Sequence, residues 1–186
     1  MDHSRERVDR LILALLAASL ALNVYQGVQA MRPAPGRAVE PALKVGAVVP
    51  PLEVKDLRGM NRRITYGDTR RLTVLYFFTP SCPWCKKNLP SIRTLAEQQG
   101  SSYRLIAVSL QPVTADYMKE SEIDFPVFVE PAPGSRAVYG LGSIPQTVVV
   151  SPEGKVVKNW VGAYYGSLRD EIGAFLFVAL PSLPRD

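Results

Sequence analysis

Residues 77–90 read FFTPSCPWCKKNLP and hold both cysteines of the 186-residue chain. The stretch runs out of the apolar segment RLTVLYFF (71–78) and into a segment with helical spacing, with Cys82-Pro83-Trp84-Cys85 at the junction. A Cys-x-x-Cys pair serves as a structural bridge, as half of a metal site or as a reversible dithiol. Zinc takes about four ligands, and the single histidine, His3, lies beyond an apolar N-terminal segment, so no metal and no other cofactor is expected. A bridge across two intervening residues closes a loop too short to remove much chain entropy. The reading that remains is a redox-active pair.

The local sequence gives the two sulfurs unequal tasks. Proline is at home in the first turn of a helix, where its missing N–H has no intrahelical partner to serve. Pro83 therefore puts Cys82 at the cap, near unpaired N–H groups and the positive end of the helix dipole. A thiol there is expected to ionise below its usual pKa of about 8.5, in the range of roughly 3.5–7.5. Cys85, one turn inside, is expected to be shielded. Cys82 is then the attacking sulfur and Cys85 the resolving one. Trp84 reads either as the rim of this site or as a packing residue, and Lys86 and Lys87 as solvated charges near it.

Working outward, RLTVLYFF has the continuous apolar character of a strand covered on both faces. Pro83 to Gln99 spaces Leu89, Ile92, Leu95 and Ala96 along one side of a helix, with Gly100 as its stop. YRLIAVSL (103–110) reads as the next buried strand, Thr114 to Glu120 as a short helix, and FPVFVE (125–130) as another strand. TVVVSPEGKVVKNWVG (147–162) is a hairpin turning at Ser151–Gly154. An amphipathic helix from Ser167 to Val178 follows. Upstream, PLEVKDL and NRRITYG flank Arg58-Gly59-Met60 as a small hairpin extension. The order βαβ, helix, ββα predicts an α/β domain over 43–186, with a central mixed sheet and helices on both faces.

The N-terminus differs. A polar tail (1–10) precedes Leu11–Met31, which carries no charge. As a helix these residues would span roughly 30 Å, about one bilayer core. They read as a transmembrane anchor or, with Val28-Gln29-Ala30 as a small-x-small site, as a cleaved signal. The anchored form is favoured over the cleaved, secreted one. Three arginines before the segment against two after it lean towards a cytoplasmic tail and an extracytoplasmic domain. Residues 32–42 (RPAPGRAVEPA) form a Pro/Ala-rich linker. Hydrophobic residues make up 47% and charged residues 21%, with a net charge of +5. The basic pairs Arg62-Arg63, Arg70-Arg71 and Lys86-Lys87 are scattered, so no nucleic-acid surface is expected.

A strand ending in Phe-Phe, then Cys-Pro-Trp-Cys, then a helix with Pro90 five positions after the second cysteine, resembles a thioredoxin-fold protein. GSIPQTVVVSPEGKVV (142–157) resembles that fold's second landmark, which implies a cis peptide at Pro145 facing the cysteines and main-chain hydrogen bonds from Ile144 to a substrate. VGAVVPPLEVKDLRGMNRRITY (45–66) is similar to the start of the membrane-anchored, extracytoplasmic thiol-disulfide oxidoreductases of the TlpA/ResA type, a likeness covering most of Val45–Val178. SCPWCKKNLP (81–90) is also similar to the accessory thioredoxin-like protein of methylamine dehydrogenase maturation. Two positions depart from these families. Tyr76 stands where thioredoxin has a buried Asp, and Asn88 where TlpA/ResA-type proteins commonly have a Glu. Tyr76, water or Lys87 is the candidate to serve Cys85 in the place of those acids.

The resemblance implies a bacterial-type inner-membrane, single-pass enzyme with its catalytic domain in the periplasm. It would be a monomer that reduces disulfides of protein substrates with electrons from a membrane donor protein, in a cytochrome- or enzyme-maturation role. Cys82 and Cys85 would be catalytic, and Pro83, Trp84, Ile144 and Pro145 would bind substrate. Two other functions stay open: a peroxiredoxin-like peroxidase, for which Thr79 has the spacing, and a non-enzymatic anchored chaperone or assembly factor using the same groove.

Overall fold

A computed structural model describes residues 2–31, 43–67 and 70–183. The expected linker, 32–42, lies outside the described residues, as do the side chains of Val28, Gln29 and Ala30. The chain divides into two units, Met1–Val39 and Glu40–Asp186.

Among the described residues the first unit holds one helix, α1 (Asp2–Met31). Its described side chains, at 10 and 12–26, are all exposed, and Leu13, Leu15, Leu16 and Leu20 are each more than 60% accessible. Among the described residues no helix is long and apolar enough to cross a membrane.

The second unit is built on a single sheet. Among the described residues its strands are β1 (Leu52–Lys55), β2 (Asn61–Ile64), β3 (Leu72–Phe78), β4 (Tyr103–Ser109), β5 (Val127–Val129), β6 (Gln146–Val150) and β7 (Val156–Val161), in the order β2-β1-β5-β4-β3-β6-β7. β3, β4 and β5 are parallel neighbours, and the other pairings are antiparallel. The helices are α2 (Pro83–Glu97), α3 (Ala115–Glu120), α4 (Pro133–Val138) and α5 (Gly166–Leu176). The predicted mixed sheet flanked by helices is present, with its N-terminal hairpin.

Side chains on β3 alternate between two cores, as the period of two requires. Val74, Tyr76 and Phe78 point to the layer containing Leu89, Ile92 and Leu95 of α2 and Ile172 and Leu176 of α5. Leu75 and Phe77 point to the layer closed by Leu52, Val54, Ile64, Tyr66 and Tyr139. Each fully buried Leu or Phe contributes about 1.5–3 kcal/mol relative to an exposed one. Together the two cores fix the central strands, and with them the end of β3 where the cysteines begin.

Several boundaries differ from the sequence expectation. Helix α2 is capped at Gln98, whose N–H donates to Thr94 O at 3.1 Å, so Gly100 lies beyond the stop and its carbonyl accepts from Arg71 at 2.9 Å. Helix α5 ends at Leu176 because Phe177 turns left-handed (φ 57°) and Val178 N–H reaches back to Gly173 O at 2.9 Å. Helix α4 was not expected. At the sheet edge, the outer strand β2 presents Asn61, Arg62 and Arg63 to solvent, with Arg62 paired to Asp56 at 2.9 Å and Arg63 to Glu53 at 3.2 Å.

Candidate active site

The chain leaves β3 at Phe78, turns through Thr79–Ser81 and enters α2 at Pro83. Cys82 is the N-cap (φ −84°, ψ 114°). Its sulfur takes the place that a serine or aspartate oxygen fills in an ordinary cap, accepting from Cys85 N–H at 3.2 Å. Cys82 N–H donates to Thr79 O at 3.2 Å, and Lys86 N–H opens the helix by donating to Cys82 O at 3.1 Å. Pro83 occupies the first turn as the sequence predicts. Both cysteines are free thiols, Cys82 half-buried and Cys85 only 1% exposed. Burial pushes the Cys85 thiol up to about 12, and its contact with Cys82 adds to this, while the Thr79 main chain and the Tyr76 hydroxyl pull the other way.

Behind Cys85 sit the two residues that depart from the resembled families. Tyr76 is 1% exposed, and its hydroxyl donates to Cys85 O at 3.3 Å. Its ring stacks on Phe78 at 5.9 Å and meets Tyr164 edge-on at 6.4 Å. Burial, then the neighbouring Cys85 and Tyr164, hold its hydroxyl protonated well above the ordinary tyrosine range. Asn88, fully buried on α2, accepts from Tyr164 N–H at 2.8 Å through Oδ1. Its Nδ2 approaches the Tyr76 hydroxyl closely enough to lower that group's proton affinity but completes no hydrogen bond of normal geometry.

The outer rim is aromatic. Trp84 is 51% exposed and packs edge-on against Tyr165 at 6.0 Å. Lys87 Nζ lies 5.1 Å from the Trp84 ring centre, a cation–π contact that directs it to the rim. Tyr165 was not singled out in the sequence; the only signal was a Tyr-Tyr pair following a strand.

Pro145 follows a cis peptide bond from Ile144. The register Phe77↔Gln146 sets it just past the β3–β6 ladder, at the end of β3 that leads to Cys82. Pro145 is buried, and its carbonyl accepts from Gly162 N–H at 2.8 Å. Ile144 and Cys82 are both partly buried against the same core. The fold thus gathers Cys82, Pro83, Trp84, Cys85, Ile144 and Pro145 at one end of the sheet. Among the described residues no cluster of three or more His, Cys, Asp or Glu has metal-binding geometry.

Comparison with known proteins agrees with this geometry. Residues 45–159 match the AhpC/TSA family. The methylamine utilization protein MauD of Methylophilus methylotrophus is 31% identical over 152 residues, covering 78% of this chain and 70% of MauD. The likeness to the methylamine dehydrogenase accessory protein therefore extends well beyond the ten residues around the cysteines. The thiol-disulfide oxidoreductase ResA of Bacillus subtilis is 25% identical over 162 residues, 84% of this chain and 85% of ResA. Sporulation thiol-disulfide oxidoreductase A of B. subtilis is 29% identical over 97 residues, 48% of this chain and 59% of that protein's length. The crystal structure of that protein, StoA, superposes with a TM-score of 0.52 at 23% identity, over 63% of this chain and 92% of StoA, and shares the fold. Fold and relatives define the class, a thiol-disulfide oxidoreductase of thioredoxin-like architecture. The chain belongs to the AhpC/TSA family.

Proposed function

We propose that this oxidoreductase works outside the cytoplasm and reduces disulfides of protein clients through Cys82 and Cys85. The observation that carries the reading is the asymmetry of the pair, with Cys82 Sγ at the helix cap and Cys85 buried beneath it. The Cys82 thiolate attacks a client disulfide to form a mixed disulfide, and Cys85 then resolves it. A buried Cys85 thiol that holds its proton to about pH 12 gives the dithiol form little stabilisation by ionisation.

The client backbone is proposed to pair with Ile144 beside Pro145, with Pro83 and the Trp84 rim flanking it. The anchor is proposed on the uncharged run Leu11–Met31 of the sequence alone, since α1 as described is not apolar enough to count as a span. Residues 32–42 would be its spacer and a membrane protein the electron donor. The protein acts as a monomer in a maturation pathway for cytochromes or enzymes. A dithiol pair at a helix cap beside the cis bond of Pro145 suits disulfide exchange better than the peroxidase alternative.

In the native membrane, Cys85→Ser is expected to accumulate mixed disulfides with clients and donor, and Cys82→Ser to form none. Equal trapping by both variants would sink the assignment of roles. Carbonate extraction and protease accessibility of the full chain test the anchor and its orientation. Release into the soluble fraction would refute the anchored form.

A further inference from the structure

Cys85 must lose a proton inside the protein, and the groups around it are neutral. The titratable groups facing it are Cys82 on its own helix, Tyr76 on β3, Tyr117 on α3 and, behind Tyr76, Tyr164 ahead of α5. The influences that weigh most on this thiol are its burial, Cys82, the Thr79 main chain and Tyr76, none of them a carboxylate or a cation. Two donors nevertheless lie beside it. The Tyr76 hydroxyl makes a long 3.3 Å bond to Cys85 O and already bears on the Cys85 thiol. The Asn88 amide is fully buried with Nδ2 unsatisfied. A buried donor left unpaired costs stability, so its retention next to a reactive sulfur needs a reason.

We propose that Tyr76 and Asn88 are positioning residues for the resolving thiol, two neutral donors that receive the Cys85 thiolate as it forms. The proposal rests on the roles assigned above to Cys82 and Cys85. In the resolving step the Cys85 S–H bond breaks and its proton passes to solvent. The thiolate attacks Cys82 Sγ, the Cys82–client S–S bond breaks, and the Cys82–Cys85 bond forms. The client sulfur leaves as a thiolate and takes up a proton, so the dithiol is oxidised by two electrons and the client disulfide is reduced by two. During this exchange the Tyr76 O–H turns from the Cys85 carbonyl to its sulfur, and Asn88 Nδ2 holds the phenol oxygen. Because both donors are neutral, the step carries no ionisation in the carboxylate range.

The test uses the reduced full chain in detergent with 5,5′-dithiobis(2-nitrobenzoate), whose two aryl thiolates are released in sequence. The first reports attack by Cys82 and the second resolution by Cys85. Tyr76→Phe is expected to slow the second phase roughly ten- to a hundredfold, the scale of one hydrogen bond to a charged group. Its midpoint should rise in pH, and the first phase should stay within about twofold of the original protein, below the scale of a single hydrogen bond. Asn88→Asp keeps the acceptor for Tyr164 N–H but replaces the idle donor with a carboxylate, so it should add an inflection to the second-phase pH profile that the original protein lacks. A second phase unchanged in both variants overturns the proposal. So does equal slowing of both phases, which would mark a purely structural role. Should Asn88→Asp fail to fold, the phase ratio in Tyr76→Phe decides alone. Absence of a first phase in the original protein, or its survival in Cys82→Ser, would instead refute the assignment of Cys82.

Discussion

The two faces of the sheet each bury tyrosine hydroxyls, and they treat them differently. On the face that carries Leu75, Phe77 and Val148, Tyr66 hydrogen-bonds the Tyr139 hydroxyl, which donates to Pro50 O at 2.8 Å. That chain is closed, with every hydroxyl partnered. On the face covered by α2 and α5, the Thr147–Tyr164 hydroxyl pair is equally tight at 2.6 Å. One step nearer the cysteines, Tyr76 makes a long contact and Asn88 leaves a donor idle. Completed networks fix a structure. An incomplete one beside a thiol is where a change of charge can be received.

The broadest disturbance of both faces is alkaline pH. An unfolded phenol ionises near pH 10, whereas burial holds Tyr66 and Tyr103 up to about 12. Their folded-state pKa is raised, so the stability they contribute is full below pH 10 and is lost as pH rises to about 12. Urea midpoints measured at pH 9, 10.5 and 12 are expected to fall steadily, and a flat series would contradict the burial of these phenols. Next in size, Tyr139→Phe strands the Tyr66 hydroxyl and the Pro50 carbonyl and should cost about 1–3 kcal/mol in a urea titration. It should leave both phases of aryl thiolate release unaltered; a slowed second phase would join the two faces functionally and break the contrast. Smaller again is Trp84→Ala. Half-exposed, Trp84 is expected to change stability by no more than about 0.5 kcal/mol while slowing reduction of a protein disulfide several-fold and leaving the small aryl disulfide untouched. Equal slowing of both substrates would remove Trp84 from the client surface.

Much of this arrangement was readable along the chain, because the signals were local. The apolar run 71–78, the Pro83 helix start and the Ser151–Gly154 turn each carry their instruction within a few residues. Cys82 and Cys85 stood out by chemistry, and Pro145 by its likeness to a known landmark. What escaped was either short or distant. Helix α4 has six residues, opens on Pro133-Gly134 and has no room to show a helical period. Tyr66 and Tyr139 meet across 73 positions, and β1 pairs with β5 through the single register Lys55↔Val129. No local propensity encodes such pairings. The α2 stop was misplaced because Gly100 looked like a terminator, while Gln98 already closes the last turn through its own N–H.

The charged outer strand β2 has a consequence for solubility. A sheet that ends in an unpaired strand is a template for any extended chain, and basic side chains along that edge discourage such growth. With Arg62 and Arg63 facing outward, the sheet resists self-association at the hairpin end. A protein proposed to pair with client backbone at Ile144 has particular need of this, since an extended client segment could equally add to a bare edge and carry the enzyme into an aggregate.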